Sequence, residues 1–311
     1  MTLHLRGETA GAIDGLRQLD YRPRKASMIA AMETGISELS RLFTRLLDER
    51  EVELPPMPAT AAQVMQLCQQ EDTDAAKLSS VIHGDQTIAS NVLRVANSAA
   101  YMGQVPCSSL QQAVSRLGMQ SITEIALAVS VRSRLFANEA CADMLTSLWQ
   151  HSVLTGFFTK EIARMRRRNV EIAFLCGLLH DVGKALLLNN VDKAGGDSSL
   201  PVADLYHAVH EHHVAAGVLL AEQWKLPDQV KESIACHHNL EQAQSFADMS
   251  MMVCLADQLS HLCAPSALAQ PVTEHELRAH EVLVGLNLYG DQVNELLGMK
   301  ERALEVTEGM Q

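Results

Sequence analysis

Residues 54–103 read "LPPMPATAAQVMQLCQQEDTDAAKLSSVIHGDQTIASNVLRVANSAAYMG", and apolar side chains return in this stretch every three or four positions. Val64, Leu67 and Cys68 do so, then Leu78, Val81 and Ile82, then Ala89, Val92, Leu93 and Ala96. That is the period of a helix with one face turned inward. Working outward, Thr60 with Gln63, Ser109 with Gln112 and Ser121 with Glu124 have the spacing of a capping box, in which side chains satisfy the first free N–H groups of a helix. Gly118 closes one helix and Pro227 interrupts a later region. Aromatic residues make up 4% of the chain and no run alternates apolar with polar, so a sheet has little to be built from. The expected fold class is all-α, a multi-helix bundle.

The chain has 311 residues, a formal charge of −12 and 47% hydrophobic residues, which suits a sizeable core and argues against disorder. A net acidic surface is a poor match for a phosphate backbone, so nucleic acid is not an expected partner. Seven cysteines, at 68, 107, 141, 176, 236, 254 and 263, form no C-x-x-C pair, and their odd number fits no complete disulfide set. They read as small core residues in a reducing compartment. No stretch of about 18 apolar residues occurs and the start, "MTLHLRGETAGAIDGLRQLD", lacks the apolar segment of a signal peptide. The expectation is a soluble, cytoplasmic protein without a membrane partner.

Three regions separate. Residues 1–53 form an extension with one amphipathic helix, Met28–Leu47, ending before the helix-breaking prolines of "LPPMP". Residues 54–263 form the main domain, with short helices over 54–140 and most of the histidines over 141–263. Residues 264–311 keep helical spacing and are expected to pack on the body as closing helices. Within the histidine-rich part, residues 178–184 read "LLHDVGK". The pair His180-Asp181 is either a metal-binding hook or a polar interruption of a buried helix, and a lone pair of this kind is more often structural.

The stretch quoted first, followed by "SLQQAVSRLGMQSITEIAL" at 109–127, resembles the first half of the HDOD domain, a bacterial signalling module related to HD-type phosphohydrolases. The resemblance rests on "LPPMP", on "VIHGDQTIASNVLRVANSAAYMG" with Asn97-Ser98 and Tyr101, and on "AVSRLG". It covers roughly residues 54–260 and departs from the family at Gln86, where a proline usually follows the aspartate, with a helix start as the feature affected. It implies an HD-domain-like bundle and a signal-transduction role through a protein partner or a nucleotide or phosphoester ligand.

The resemblance also implies a ligand set for one or two divalent transition-metal ions, among which Fe, Mn, Zn and Ni are not distinguished. The matching positions are His151 in "SLWQHSVLTG", His180 and Asp181, His213 in "EHHVAAGVLL", His237 and His238 in "IACHHN", and Asp257 in "VCLADQLS". Many members of the family lack part of this set; here every position is filled. His213 is preferred to the neighbouring His212 because its spacing to Gly217 matches the family. Ser147 stands where relatives with a third ion have a Glu, and the Gly-Tyr-Pro loop of the HD-GYP phosphodiesterases is replaced by "HHNLEQAQSFADMS". Two ions at most are the expectation, and the missing loop speaks against a cyclic dinucleotide as substrate.

The residues support this reading independently. Leu148, His151, Leu154 and Phe158 share one helical face, and Val230, Ile234 and His237/His238 another, so the histidines project where apolar neighbours point inward. Asp257 sits in the apolar run "MMVCLADQLSHL", where an ionised carboxylate is costly unless paired or metal-bound. Asp181 has two oxygens and can bridge two ions. Asp181 and Lys184 are the candidate catalytic residues of an alternative phosphohydrolase function, with Lys184 contacting a phosphate oxygen; its bland reading is a surface or helix-stabilising charge. Gly177 and Gly183 allow close approach of a ligand or a helix. "RMRRR" at 164–168 reads as a solvated helix end and "MSMMV" as core filler.

Overall fold

A computed structural model describes residues 29–68, 75–101, 103, 105–191, 202–265 and 271–310, with the side chains of 29–37, 68, 75 and 76 outside that description. The described elements are helical and include no strand. The extension contributes α1 (Ile29–Asp48), so the expected helix is present, with Met28 outside the described residues. The proline-rich segment then leads into α2 (Ala59–Cys68), α3 (Ala75–His83), α4 (Gln86–Ala96) and α5 (Leu110–Leu135).

The start of α4 shows why Gln86 is tolerated. Asp85 is the N-cap, its Oδ1 accepting from Thr87 N at 3.0 Å and Ile88 N at 3.1 Å, so the helix is capped without a proline to preset the next φ. The expected capping boxes are only partly realised. Ser109 caps α5 by accepting from Gln112 N at 3.2 Å, but Gln112 Oε1 turns to Ser108 N at 2.7 Å instead. Thr60 lies inside α2 and bonds Asp85 Oδ2 at 3.3 Å, while Ser121 lies within the span of α5. Thr60 is the second residue of its helix and Ser121 stands in the first turn after the kink at Gly118, so each lies just past the cap position that spacing assigned to it. Gly118 does interrupt α5, with φ 78° and ψ 160°.

The second half supplies α6 (Ala142–Met165), α7 (Val170–Leu179), α8 (Val182–Leu188), α9 (Val202–Gln223), α10 (Asp228–Cys236) and α11 (Ala247–Cys263). Pro227 is the N-cap of α10. Helices α7 and α8 are apolar nearly all round and lie at the centre, as such helices must. Short helices α12 (Glu274–Arg278), α13 (Val282–Gly285), α14 (Gly290–Gly298) and α15 (Lys300–Gly309) close the body, with α15 against α6.

Small residues bring the central helices unusually close. A Cβ on Gly177 would lie 2.4 Å from Thr159 Oγ1 and 2.8 Å from Gly156 Cα, so α6 and α7 touch nearly backbone to backbone. Thr155 Oγ1 meets Ser260 Oγ at 3.0 Å across α6 and α11. The described cysteines are free; Cys107, Cys141, Cys176, Cys236 and Cys263 are buried, as small core residues would be. Met249 and Met252 are likewise core, and no described helix is long and apolar enough to cross a membrane.

Candidate metal centre

His180 and Asp181 fall in the break between α7 and α8, so "LLHDVGK" interrupts buried helix. From this break the pair meets α6 through His151, α9 through His213, the end of α10 through His237 and His238, and α11 through Asp257. All seven expected ligands converge. They form two groups, His151 with His180 and Asp257, and Asp181 with His213, His237 and His238. Asp181 joins them: Oδ1 lies 3.2 Å from His213 Nε2 and 3.6 Å from His237 Nε2, while Oδ2 lies 3.4 Å from His180 Nε2 and 3.8 Å from His151 Nε2. Asp257 Oδ1 is 3.0 Å from His151 Nε2 and 3.6 Å from His180 Nε2.

Backbone carbonyls decide which ring nitrogen faces inward. His180 Nδ1 donates to Gly177 O at 2.8 Å, His213 Nδ1 to His210 O at 2.6 Å, and His237 Nδ1 to Ile234 O at 2.9 Å. A carbonyl can only accept, so each Nδ1 carries hydrogen and each neutral ring presents a bare Nε2 to the centre. His213 Nε2 and His237 Nε2 then face each other at 3.3 Å, both beside Asp181 Oδ1, which is buried without a hydrogen-bond donor. Lone pairs from three atoms converge. A cation resolves this arrangement, and imidazole with carboxylate suits a divalent transition metal, so the residues fit the ion that their pattern implies.

The buried charged groups of the centre act strongly on one another. Burial favours protonation of Asp181, but Lys184 and His180 hold it well below the carboxylate range. Burial acts the same way on Asp257, against which His151 and His180 hold it low. His180 is raised to about 10: burial opposes its charge, and Asp181 followed by Asp257 outweighs the burial. Burial prevails at His151, lowered to about 4, and at His213, held well below its usual value. His180 and Lys184 are thus the cations favoured by the two carboxylates.

Lys184 is buried, with Nζ 2.5 Å from Asp181 Oδ2, which replaces its reading as a surface charge. Beside it a cleft opens, walled by Met144, Leu148 and Val209, with His151, Asp181 and Lys184 on its polar side. Gly183 positions α8 rather than admitting a ligand: a Cβ there would lie 1.8 Å from His213 O. His212 points away from the centre, its Nε2 2.8 Å from Ser40 Oγ on α1.

His261 was not singled out by the sequence, yet its Nε2 lies 3.5 Å from Asp257 Oδ1 and its ring packs 4.5 Å from that of His151. The i, i+4 spacing from Asp257 was the available signal. His210, which with His207 and His212 crowds the His213 position in the sequence, stacks 5.3 Å from His213. The basic run lies at the solvated end of α6 as expected, its exposed Arg164 and Arg168 also pairing with Glu161 and Asp248.

The HDOD domain family model matches residues 54–240. An uncharacterized protein of Treponema pallidum is 24% identical over 217 residues, which are 67% of this chain and 42% of that protein. Ribonuclease Y of Mycoplasma genitalium is 34% identical over 110 residues, 35% of this chain and 18% of the enzyme. The chain therefore spans less than half the length of these relatives. Among solved structures, a Shewanella amazonensis protein provisionally named a metal-dependent phosphohydrolase aligns with TM-score 0.69 and 19% identity, covering 89% of this chain and 99% of that one. An HDOD domain protein of Geobacter sulfurreducens aligns with TM-score 0.64 and 22% identity, covering 89% and 97%. At these identities the likeness concerns the fold.

Proposed function

Because the chain belongs to the HDOD domain family, we propose that it is a signal-transduction protein whose HD-like half holds one or two divalent transition-metal ions and a phosphate group. The observation that carries the reading is Asp181 Oδ1, buried without a donor between the bare Nε2 atoms of His213 and His237. Asp181 would bridge, His213, His237 and His238 holding one ion and His151, His180 and Asp257 the other. Ions bound there supply Lewis acidity toward a phosphoryl oxygen. Backbone carbonyls keep the imidazoles of His180, His213 and His237 oriented, and Lys184 offers Nζ to a phosphate oxygen from the edge of the cleft. Signalling proceeds by contact with a protein partner whose affinity depends on the ligand state of this centre.

A second reading, a phosphohydrolase acting on a nucleotide or other phosphoester, is favoured by one feature. The cleft gives a ligand a way to both Lys184 and Asp181, which a purely structural ion would not need. Ribonuclease Y is a relative by name, but the charge of −12 does not favour RNA as the ligand here.

Elemental analysis of untagged protein purified without chelator tests the centre. One to two equivalents of a transition metal are expected, reduced in His238→Ala and lost in Asp181→Ala while circular dichroism stays helical. No metal in the unmodified protein, even after loading with manganese or iron under reducing conditions, removes the proposal.

A further inference from the structure

The cleft beside the centre contains a donor that the ligand set does not use. His261 lies on its wall, one turn after Asp257 on α11. Its Nδ1 is buried without a hydrogen-bond partner, unlike His180, His213 and His237, whose Nδ1 atoms each meet a backbone carbonyl. The tautomer is accordingly opposite. With no acceptor at Nδ1, the hydrogen of the neutral ring belongs on Nε2, where Asp257 Oδ1 waits 3.5 Å away. That distance is the outer limit of a hydrogen bond, so the N–H is loosely engaged and available to a better acceptor. A ring with hydrogen on Nε2 donates there and does not ligate.

The rest of the cleft describes what the acceptor is attached to. Lys184 is the only lysine or arginine among the described residues lining it, which matches one phosphate rather than a chain of them. Met144, Leu148, Leu188 and Val209 form an apolar wall, and Tyr206 adds a ring. An uncharged apolar or aromatic group gains by burial against such a wall, whereas a second anion would lose hydration without a partner.

Resting on the phosphate-binding reading above, we propose that the site takes the phosphate monoester of an apolar or aromatic alcohol, with His261 Nε2–H and Lys184 Nζ donating to its non-bridging oxygens. His261 is then a ligand-contacting residue and the Met144–Leu148–Val209 wall sets specificity.

Binding of three non-hydrolysable probes to the manganese-loaded protein, in the presence of excess manganese, tests this by calorimetry. Benzylphosphonate is expected to bind roughly tenfold more tightly than methylphosphonate, since its ring leaves water. Para-xylylenediphosphonate, with a second anion on the ring, binds more weakly than benzylphosphonate. His261→Ala weakens both monophosphonates about tenfold, as loss of a hydrogen bond to a charged group does, without changing metal content, and His261→Gln restores part of the affinity through its side-chain N–H. Leu148→Ser weakens benzylphosphonate alone. Unchanged affinity in His261→Ala, metal loss in that variant, or equal binding of benzyl- and methylphosphonate overturns the inference. Metal-loaded protein that ignores all three probes overturns it too and leaves the metal reading standing, whereas protein that takes up no metal and binds no phosphonate removes both.

Discussion

Asp181 carries more of the site than any other residue. Its two oxygens face four imidazoles, and its charge is matched by His180 and Lys184. The pH behaviour of the metal-free protein follows from these partners. His180 is raised from 6.5 to about 10, so its contribution to stability is complete below 6.5 and is lost as pH rises to about 10. Asp181 and Asp257 are lowered from 3.8, so their contribution is present above that value and is lost as pH falls through their folded values. Chemical denaturation of the chelated protein across this range should show the alkaline decline, and His180→Gln should flatten it; a decline that persists in the variant would assign it elsewhere. Metal uptake must also displace the His180 proton, since a ligating nitrogen cannot keep it. Calorimetry at neutral pH in buffers of differing ionisation heat should record proton release. Gly183 shows how little space surrounds this residue. Gly183→Ala would drive a methyl group into His213 O, and a loss of about 1–3 kcal/mol together with reduced metal content is expected. Stability and metal content matching the parent protein would show that α8 and α9 can separate without disturbing the ligands.

At the scale of elements, α5 provides a contrast with Gly183. Nothing lies within 4 Å of a Cβ built on Gly118, yet its φ of 78° with ψ of 160° is a backbone conformation open mainly to glycine. Gly118→Ala should therefore cost about 1–3 kcal/mol through the backbone alone, leaving metal content intact. Loss of metal in that variant would mean that the bend in α5 sets the ligand geometry. The glycine's role as a helix breaker was legible from sequence because its neighbours kept helical spacing on both sides. Thr60 and Ser121 were not legible as first-turn residues rather than caps, because a polar residue three before Gln or Glu has the same spacing inside a helix as at its start. Helix α9 was likewise ambiguous between His212 and His213. Its position between α1 and the centre settled which faced inward, with His212 taking Ser40 and an edge contact to Phe43 at 6.2 Å between rings.

Across the whole molecule, the two halves and both terminal regions are tied to the helices that carry the ligands. Lys160 on α6 meets the buried Glu124 of α5 at 2.6 Å, and Asn189 Nδ2 at the end of α8 donates to Leu135 O at 2.7 Å. Asn190 accepts from Glu53 N at 2.9 Å, anchoring the segment that leads into the domain. At the other end, Met310 O accepts from Trp149 Nε1 at 3.1 Å and from Arg132 Nη1 at 3.3 Å. Removing residues 300–311 would leave the buried Trp149 N–H without a partner and uncover part of α6, which carries His151. A lowered melting temperature with weaker metal retention is expected; an unchanged melting temperature would show α15 to be an accessory.

The sequence by itself determined that the chain is helical and where its main proline break lies, features of local spacing and residue chemistry that hold before anything folds. Its resemblance to the HDOD family added which seven side chains could serve as ligands. Only the tertiary structure decided that the expected ligands from five helices meet, that Lys184 is buried against Asp181, and that His261 stands beside Asp257. Each of these depends on how closely helices pack, and that closeness is set by pairs such as Gly177 with Gly156 and Gly183 with His213 O, whose members are far apart in the chain. The orientation of each imidazole has the same origin. It depends on which nitrogen finds an acceptor, and the presence or lack of an acceptor at Nδ1 separates His213 from His261 although both are histidines on helices.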